Sequence, residues 1–309
     1  QSNSKTGQWI LDKGYDDYHC GEKSFEKAER KMLRDSLDIC LKREKLKPKD
    51  IDLFIGGDLM NQNTTVHYLA RELPQPFIGI YGACSSFCLS MAISSLMIEA
   101  GFVDQVVAMV SSHNATAERQ YRYPVEYGVQ KKATTTFTAT GAISTLLTSK
   151  PSSVRVEALT LGKVIDYSQD DPNDMGRAMA PAAYDTIMTH FQDLKRSFKD
   201  YDLVVTGDLS TYGHKILKEM MQRNKIDVVR YNDCGCLLYD IQQQEVFQGG
   251  SGCACSGLVT MGYLYPLLKE KKYKRVLIVA TGALLSPMMS AQKDTIPSVA
   301  HAISLEVVE

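Results

Sequence analysis

The sequence predicts a layered α/β fold made of two duplicated βα-rich halves, and three observations carry that expectation. Helix-period and strand-like apolar patterns alternate along the 309 residues, the order expected of helices packed over sheets. Short apolar runs such as Ile51–Ile55 read as strands buried in a core. The motifs also return in order. "IDLFIGGDL" at 51–59 is echoed by "YDLVVTGDL" at 201–209, identical at five of nine places, and the helix-then-strand stretch Ser85–Val110 by Ser256–Ala280. The halves are placed at 1–150 and 151–309. Pro151-Ser-Ser153 is the one candidate joint, too short for a flexible linker, so the halves are expected to pack tightly.

Each element has its own pattern. From Ser24 to Lys45, apolar residues at Phe25, Ala28, Met32, Leu33, Leu37, Cys40 and Leu41 form one helical face, with Ser24 as its N-cap. Ser85–Ala100 is apolar almost all round, which predicts a helix buried in the core. Val103–Val110, Ala142–Leu147 and Val154–Leu161 read as further strands, and the second half repeats the scheme.

Composition narrows the function. The formal net charge is −1 with 23% charged residues, a balance that offers no broad polyanion-binding surface and argues against nucleic acid. No run approaches the 18 apolar residues of a membrane span. The N-terminus lacks a charged-then-apolar signal segment, and Gln1-Ser2-Asn3 reads as the remnant of a cleaved tag. Eight dispersed cysteines in such a chain are expected to be reduced thiols.

The motif richest in chemistry is "GACSSFC", Gly82–Cys88. A thiol at a helix N-terminus lies near unpaired backbone N–H groups and the positive end of the helix dipole, which favour thiolate and would stabilise an oxyanion. Cys84 is therefore either a displayed nucleophile or a buried apolar residue. Asp58 and Asp208, the twin "GDL" aspartates, stand at the C-terminal ends of matching strands, where α/β sheets place ligand sites; the other reading is two turn-capping aspartates. Cys234-Gly-Cys236 and Cys253-Ala-Cys255 are CxC pairs, whose spacing does not suit structural zinc, so no metal site is assigned. Gly249, Gly250 and Gly252 suit close backbone approach at a cleft.

Duplicated halves, the cysteine of "GACSS", "TATGAISTLL" before the midpoint and "GGSGCACSG" before the last helix resemble the thiolase-like superfamily. "GGDLMNQN" (56–63), "SSHNATAERQYRYPVEYG" (111–128), "DMGRAMAPAAYDTI" (174–187), "NDCG" (232–235) and "ATGALLSP" (280–287) resemble, more closely, the stage V sporulation protein AD family of endospore-forming bacteria. The resemblance runs from about Asp16 to the C-terminus. That family has a longer Gly/Pro-rich opening than Thr6–Ile10 supplies, which implies that N-terminal residues are missing from the chain.

The superfamily resemblance implies that Cys84 would work with His and Asn, or two His, from the second half. The turns that should supply them read Thr206-Gly207-Asp208 and Gly249-Gly250-Ser251-Gly252. The late catalytic cysteine, due in "TGALLSP", is replaced as well. Such groups act as a unit, so a non-enzymatic protein is expected, with Cys84 as a vestigial nucleophile and no cofactor. The family implies binding of dipicolinic acid, or its calcium chelate, during uptake into the developing spore. The expected ligand site is Asp58, Cys84, His113, Asn114, Asp208, Ser251 and Gly252. His and Asn suit a pyridine dicarboxylate as donors; Arg119 and Arg122 offer guanidinium forks, and Tyr121 or Tyr123 a ring to stack on the pyridine. Expected partners are membrane proteins of the same uptake complex and a second copy of the chain. The expected location is the forespore, peripheral to the inner membrane. The competing readings are a cysteine-dependent acyltransferase on a thioester and a scaffold without a ligand.

Overall fold

The computed structural model describes residues 10–121 and 131–308. In chain order the first half carries α1 (Phe25–Arg43), β1 (Leu53–Gly57), α2 (Thr64–Ala70), β2 (Phe77–Gly79), α3 (Ser86–Glu99), β3 (Gln105–Ser112), α4 (Asn114–Tyr121), β4 (Phe137–Thr138) and β5 (Gly141–Thr148). The second carries β6 (Val154–Leu161), α5 (Met175–Leu194), β7 (Leu203–Thr206), α6 (Ser210–Arg223), β8 (Tyr231–Asp233), α7 (Cys234–Leu238), β9 (Gly250–Ser251), α8 (Cys253–Val259), α9 (Tyr265–Lys269), β10 (Arg275–Ala283), α10 (Pro287–Ala291) and β11 (Ser298–Val307). A π-helical turn, Thr260–Leu264, joins α8 to α9.

Among the described residues the two large sheets are ordered β2-β1-β3-β5 and β6-β11-β10-β7-β8. Their inner strands β1, β3, β7 and β10 run parallel to a neighbour, with β5 and β11 antiparallel additions. α3 and α8 lie between the sheets and touch both; α1 and α2 cover the outer face of the first, α5 that of the second, with α6 packed on α5. The result is five layers, helix–sheet–helix–sheet–helix. Burial on both faces explains why β1 (LFIGG) and the core of β10 (VLIVATGA) carry no alternation. Ser24 caps α1 as its sequence indicates, accepting from Lys27 N–H. α3 departs in part from the buried helix expected. Its first turns are enclosed, but Leu96 near its end is 45% exposed, while its neighbours Met97 and Ile98 still pack on the core.

One short pairing was not legible. β4 and β9 align in parallel, Phe137 with Gly250 and Thr138 with Ser251, and so stitch the first half to the turn that opens α8. Close approach fastens the halves elsewhere: a Cβ on Gly282 of β10 would lie 2.2 Å from the Gly82 carbonyl oxygen. No side chain fits there.

Candidate functional site

The turn before α3 displays Cys84 through a tight, self-bonded loop. Ser85 Oγ donates to the Gly82 carbonyl at 2.6 Å, Ser86 Oγ to the Ala83 carbonyl at 2.8 Å, and Gly82 N–H to Ser86 Oγ at 3.1 Å. Ala83 sits at φ +48°, a left-handed conformation that costs a residue with a Cβ and marks a turn over-determined by its surroundings.

The second half closes on Cys84 from three elements. Asp208, two residues past β7, is fully enclosed and accepts from Thr281 Oγ1 of β10 (2.7 Å), Ser251 Oγ of β9 (3.0 Å) and the Gly252 N–H (3.0 Å). Gly252 has φ +94°, which turns its N–H toward Asp208 and suits glycine. Ser251 Oγ also lies 3.9 Å from Cys84 Sγ, so one hydroxyl bridges thiol and carboxylate.

This environment decides the protonation of Cys84. The thiol is 7% exposed, and burial first, then the Asp208 carboxylate, push its pKa well above the ordinary value. The helix terminus pulls the other way with only about 0.3–1 kcal/mol, less than one pKa unit, whereas burial alone displaces enclosed groups by up to about 3–5 units. Burial wins, and the thiol stays protonated at neutral pH, against the thiolate that helix position alone suggests.

Beside Cys84 lies a cavity of about 30 Å³, room for roughly two waters. Its polar wall is Cys84, Tyr121, Thr138 and Ser251; the remainder is alanine, leucine and methionine.

Of the seven expected site residues, Cys84 and Ser251 line the cavity and Asp208 and Gly252 are hydrogen-bonded behind Ser251, while Asp58, His113 and Asn114 are bonded elsewhere. Asp58 accepts from Met60 N–H (2.8 Å) and Val66 N–H (2.9 Å), holding the turn after β1. His113 is committed to the backbone: Nδ1 accepts from Ala115 N–H, so Nε2 carries the proton and donates to the Tyr18 carbonyl at 2.8 Å. Asn114 N–H donates to Thr140 Oγ1, while its Nδ2 is enclosed without a hydrogen-bond partner. Arg119 pairs with Glu26 at 2.6 Å near the surface. Arg122 and Tyr123 lie outside the described residues. The eight cysteines are free thiols. Cys253 and Cys255 donate to the carbonyls of Ser111 and Gly207, serving as small buried donors.

Two features were missed. Tyr121, expected as a stacking ring, instead presents its hydroxyl to Tyr81 and to the Leu59 carbonyl. Glu29, fully buried, accepts from Ser111 Oγ (2.9 Å) and Thr116 Oγ1 (2.8 Å) and faces Asp58. Burial, reinforced by Asp58, lifts Glu29 to about 8; burial lifts Asp58 to about 6. The signal for Glu29 was present, since it stands four residues after Phe25 and four before Leu33, an acid on the apolar face of α1.

The chain matches the family described as Stage V sporulation protein AD (SpoVAD) over residues 5–306. It is 48% identical over 298 residues to Stage V sporulation protein AD of Bacillus subtilis (strain 168), covering 96% of this chain and 88% of that protein. Among solved structures it is similar to 3-oxoacyl-(acyl-carrier-protein) synthase III of Aquifex aeolicus VF5, with TM-score 0.56, 14% identity, and 92% and 85% of the two chains covered. It is also similar to OleA of Xanthomonas campestris, with TM-score 0.58, 15% identity, and 90% and 81% covered. At these identities the structural likeness is one of fold, the thiolase-like fold.

Proposed function

The chain belongs to the stage V sporulation protein AD family, and from that premise we propose that it is a non-enzymatic binding protein for dipicolinic acid, pyridine-2,6-dicarboxylate, or its calcium chelate, during uptake into the developing spore. The ligand would use the vestigial thiolase-type cleft at Cys84. The observation that carries the non-enzymatic reading is what meets the thiol. The two second-half turns bring Asp208 and Ser251 against Cys84, and neither can serve as the imidazole that deprotonates a nucleophile. Asp208 adds a negative charge that opposes thiolate, the reverse of what acyl transfer requires.

The same charge shapes the ligand chemistry. A carboxylate brought toward Asp208 is repelled unless a cation lies between them or Asp208 is protonated, which favours the calcium chelate as the form bound. Thr138 and Tyr121 offer hydroxyl donors at the wall, while Ser251, whose proton goes to Asp208, lines it as an acceptor. Calorimetric titration with dipicolinate, with and without Ca²⁺, tests this. Saturable binding, strengthened by Ca²⁺ and weakened in Cys84→Ala and Ser251→Ala variants with unchanged circular dichroism, is expected. No heat at millimolar ligand, alongside acyl-CoA labelling of Cys84, would replace the proposal with the acyltransferase reading.

The proposal extends to partners and place. No described helix is long and apolar enough to cross a membrane, so delivery would require membrane proteins of the same uptake complex, at the inner membrane of the forespore. A second copy would pair through β5, the edge of the first sheet. Cross-linking in sporulating cells is expected to capture both a second copy and membrane proteins. Recovery of the chain only as an uncross-linked monomer, away from membranes, would refute both.

A further inference from the structure

The Cys84 cavity is too small for any organic ligand. About 30 Å³ is an order of magnitude below the ~300 Å³ at which ligand pockets begin, so a wall residue must move before the site can fill. Among the described wall residues, Tyr121 and Met175 are half-buried and the rest are enclosed. A half-buried side chain can turn outward without opening the packed core. Of the two, only Tyr121 is fastened by hydrogen bonds.

The direction of those bonds is fixed by chemistry. Tyr121 Oη lies 2.5 Å from the Leu59 carbonyl oxygen and 2.7 Å from Tyr81 Oη. A carbonyl oxygen only accepts, so Tyr121 gives its single proton to Leu59, and Tyr81 is the donor to Tyr121. Tyr81 is 44% exposed and stands three residues before Cys84. The chain Tyr81–Tyr121–Leu59 therefore runs from solvent to the wall of the cavity. Turning Tyr121 outward breaks one neutral hydrogen bond to Leu59, whose net worth is modest, and Tyr81 can exchange its bond for water. The turn also leaves two phenol O–H groups at the mouth with no internal acceptor.

We propose that Tyr121 is the latch of the Cys84 cavity, and that Tyr81 and Tyr121, once released, donate hydrogen bonds to a carboxylate of the incoming ligand. The latch stands on geometry alone, whereas the carboxylate role rests on the dipicolinate reading. Phenols suit this position because they donate to an anion without adding charge beside Asp208. They remain protonated at neutral pH, since burial raises the pKa of both.

The test needs two readouts on the intact chain. The first is iodoacetamide labelling of Cys84, mapped by mass spectrometry, in the wild type, Tyr81→Phe and Tyr121→Phe. Cys88, one turn further along α3 and fully buried, reports wider unfolding, so the Cys84-to-Cys88 labelling ratio is compared. The ratio is expected to rise several-fold in Tyr121→Phe, which loses both bonds, and less in Tyr81→Phe, which keeps the bond to Leu59. An unchanged ratio in Tyr121→Phe overturns the latch. The second readout is calorimetric titration with dipicolinate and Ca²⁺. Weaker affinity in both variants, despite easier access, is expected; wild-type affinity in both overturns the donor role. If the ratio rises but the wild type takes up no dipicolinate, the latch stands and the carboxylate role falls together with the dipicolinate reading.

Discussion

Replacing Asp208 by asparagine is expected to move the pH–rate profile of Cys84 alkylation to lower pH and to accelerate labelling at neutral pH. Burial holds the thiol up first and the Asp208 carboxylate next; the substitution removes the carboxylate's charge and leaves the burial. Asparagine preserves the shape. Its carbonyl oxygen, placed where Oδ2 stands, can still accept from Gly252 N–H and Ser251 Oγ, and its NH₂, in place of Oδ1, can meet Thr281 Oγ1 once that hydroxyl turns to accept. The thiolate is the reacting form, so each unit by which the pKa falls multiplies the thiolate fraction roughly tenfold, and the rate by several-fold, since a less basic thiolate is a weaker nucleophile. The profile should remain above that of a solvent-exposed thiol, because burial persists. Superimposable profiles for wild type and Asp208→Asn would show that Asp208 does not restrain Cys84, and would leave burial as the only cause holding the thiol protonated.

Substituting Glu29 by glutamine is expected to flatten the loss of stability that the wild type suffers as pH rises. Glu29 ionises near 4.5 when exposed and at about 8 in the fold. The native state therefore binds a proton that the unfolded chain has released, so its contribution is full below about pH 4.5 and is lost as pH climbs to about 8. Asp58, raised to about 6, acts in the same direction and titrates jointly with Glu29. His190, His214 and His301, each depressed to about 4 by burial, act oppositely, but only below about pH 6.5. The readout is accordingly the difference between Glu29→Gln and wild type in urea unfolding across about pH 6.5 to 8. Glutamine can still accept from one of the two hydroxyls, Ser111 or Thr116, and never ionises. The variant should gain roughly 2 kcal/mol on the wild type over that interval. A difference that is independent of pH would mean Glu29 is already ionised in the fold.

What the sequence made legible, and what it left hidden, follows the range of the interactions. α1 with its Ser24 cap, and β6 at Val154–Leu161, were readable because periodicity and capping are local. β1 runs two residues later than its apolar run suggests, Leu53–Gly57, since strand limits depend on the neighbours β2 and β3. The twin aspartates show where local reading stops. Asp58 and Asp208 share a motif, yet Asp58 bonds to N–H groups within eight residues, while Asp208 reaches partners 43 to 73 residues away. Nothing near either residue announces that difference. His113 looked like a donor facing a cleft, and two backbone bonds consume both of its ring nitrogens. The Tyr81–Tyr121 pair spans 40 residues and had no local signature. Glu29 was different: an acid on an apolar helical face was visible, and only its partners were not.

If the cleft at Cys84 holds the ligand, its occupant can be seen. A crystal structure of the protein grown with dipicolinate and calcium tests this most directly. The pyridine dicarboxylate is expected beside Cys84 and Ser251, with Tyr121 turned away from the Leu59 carbonyl. A fully occupied ligand elsewhere on the chain, with the Cys84 cavity still closed by Tyr121, would contradict it.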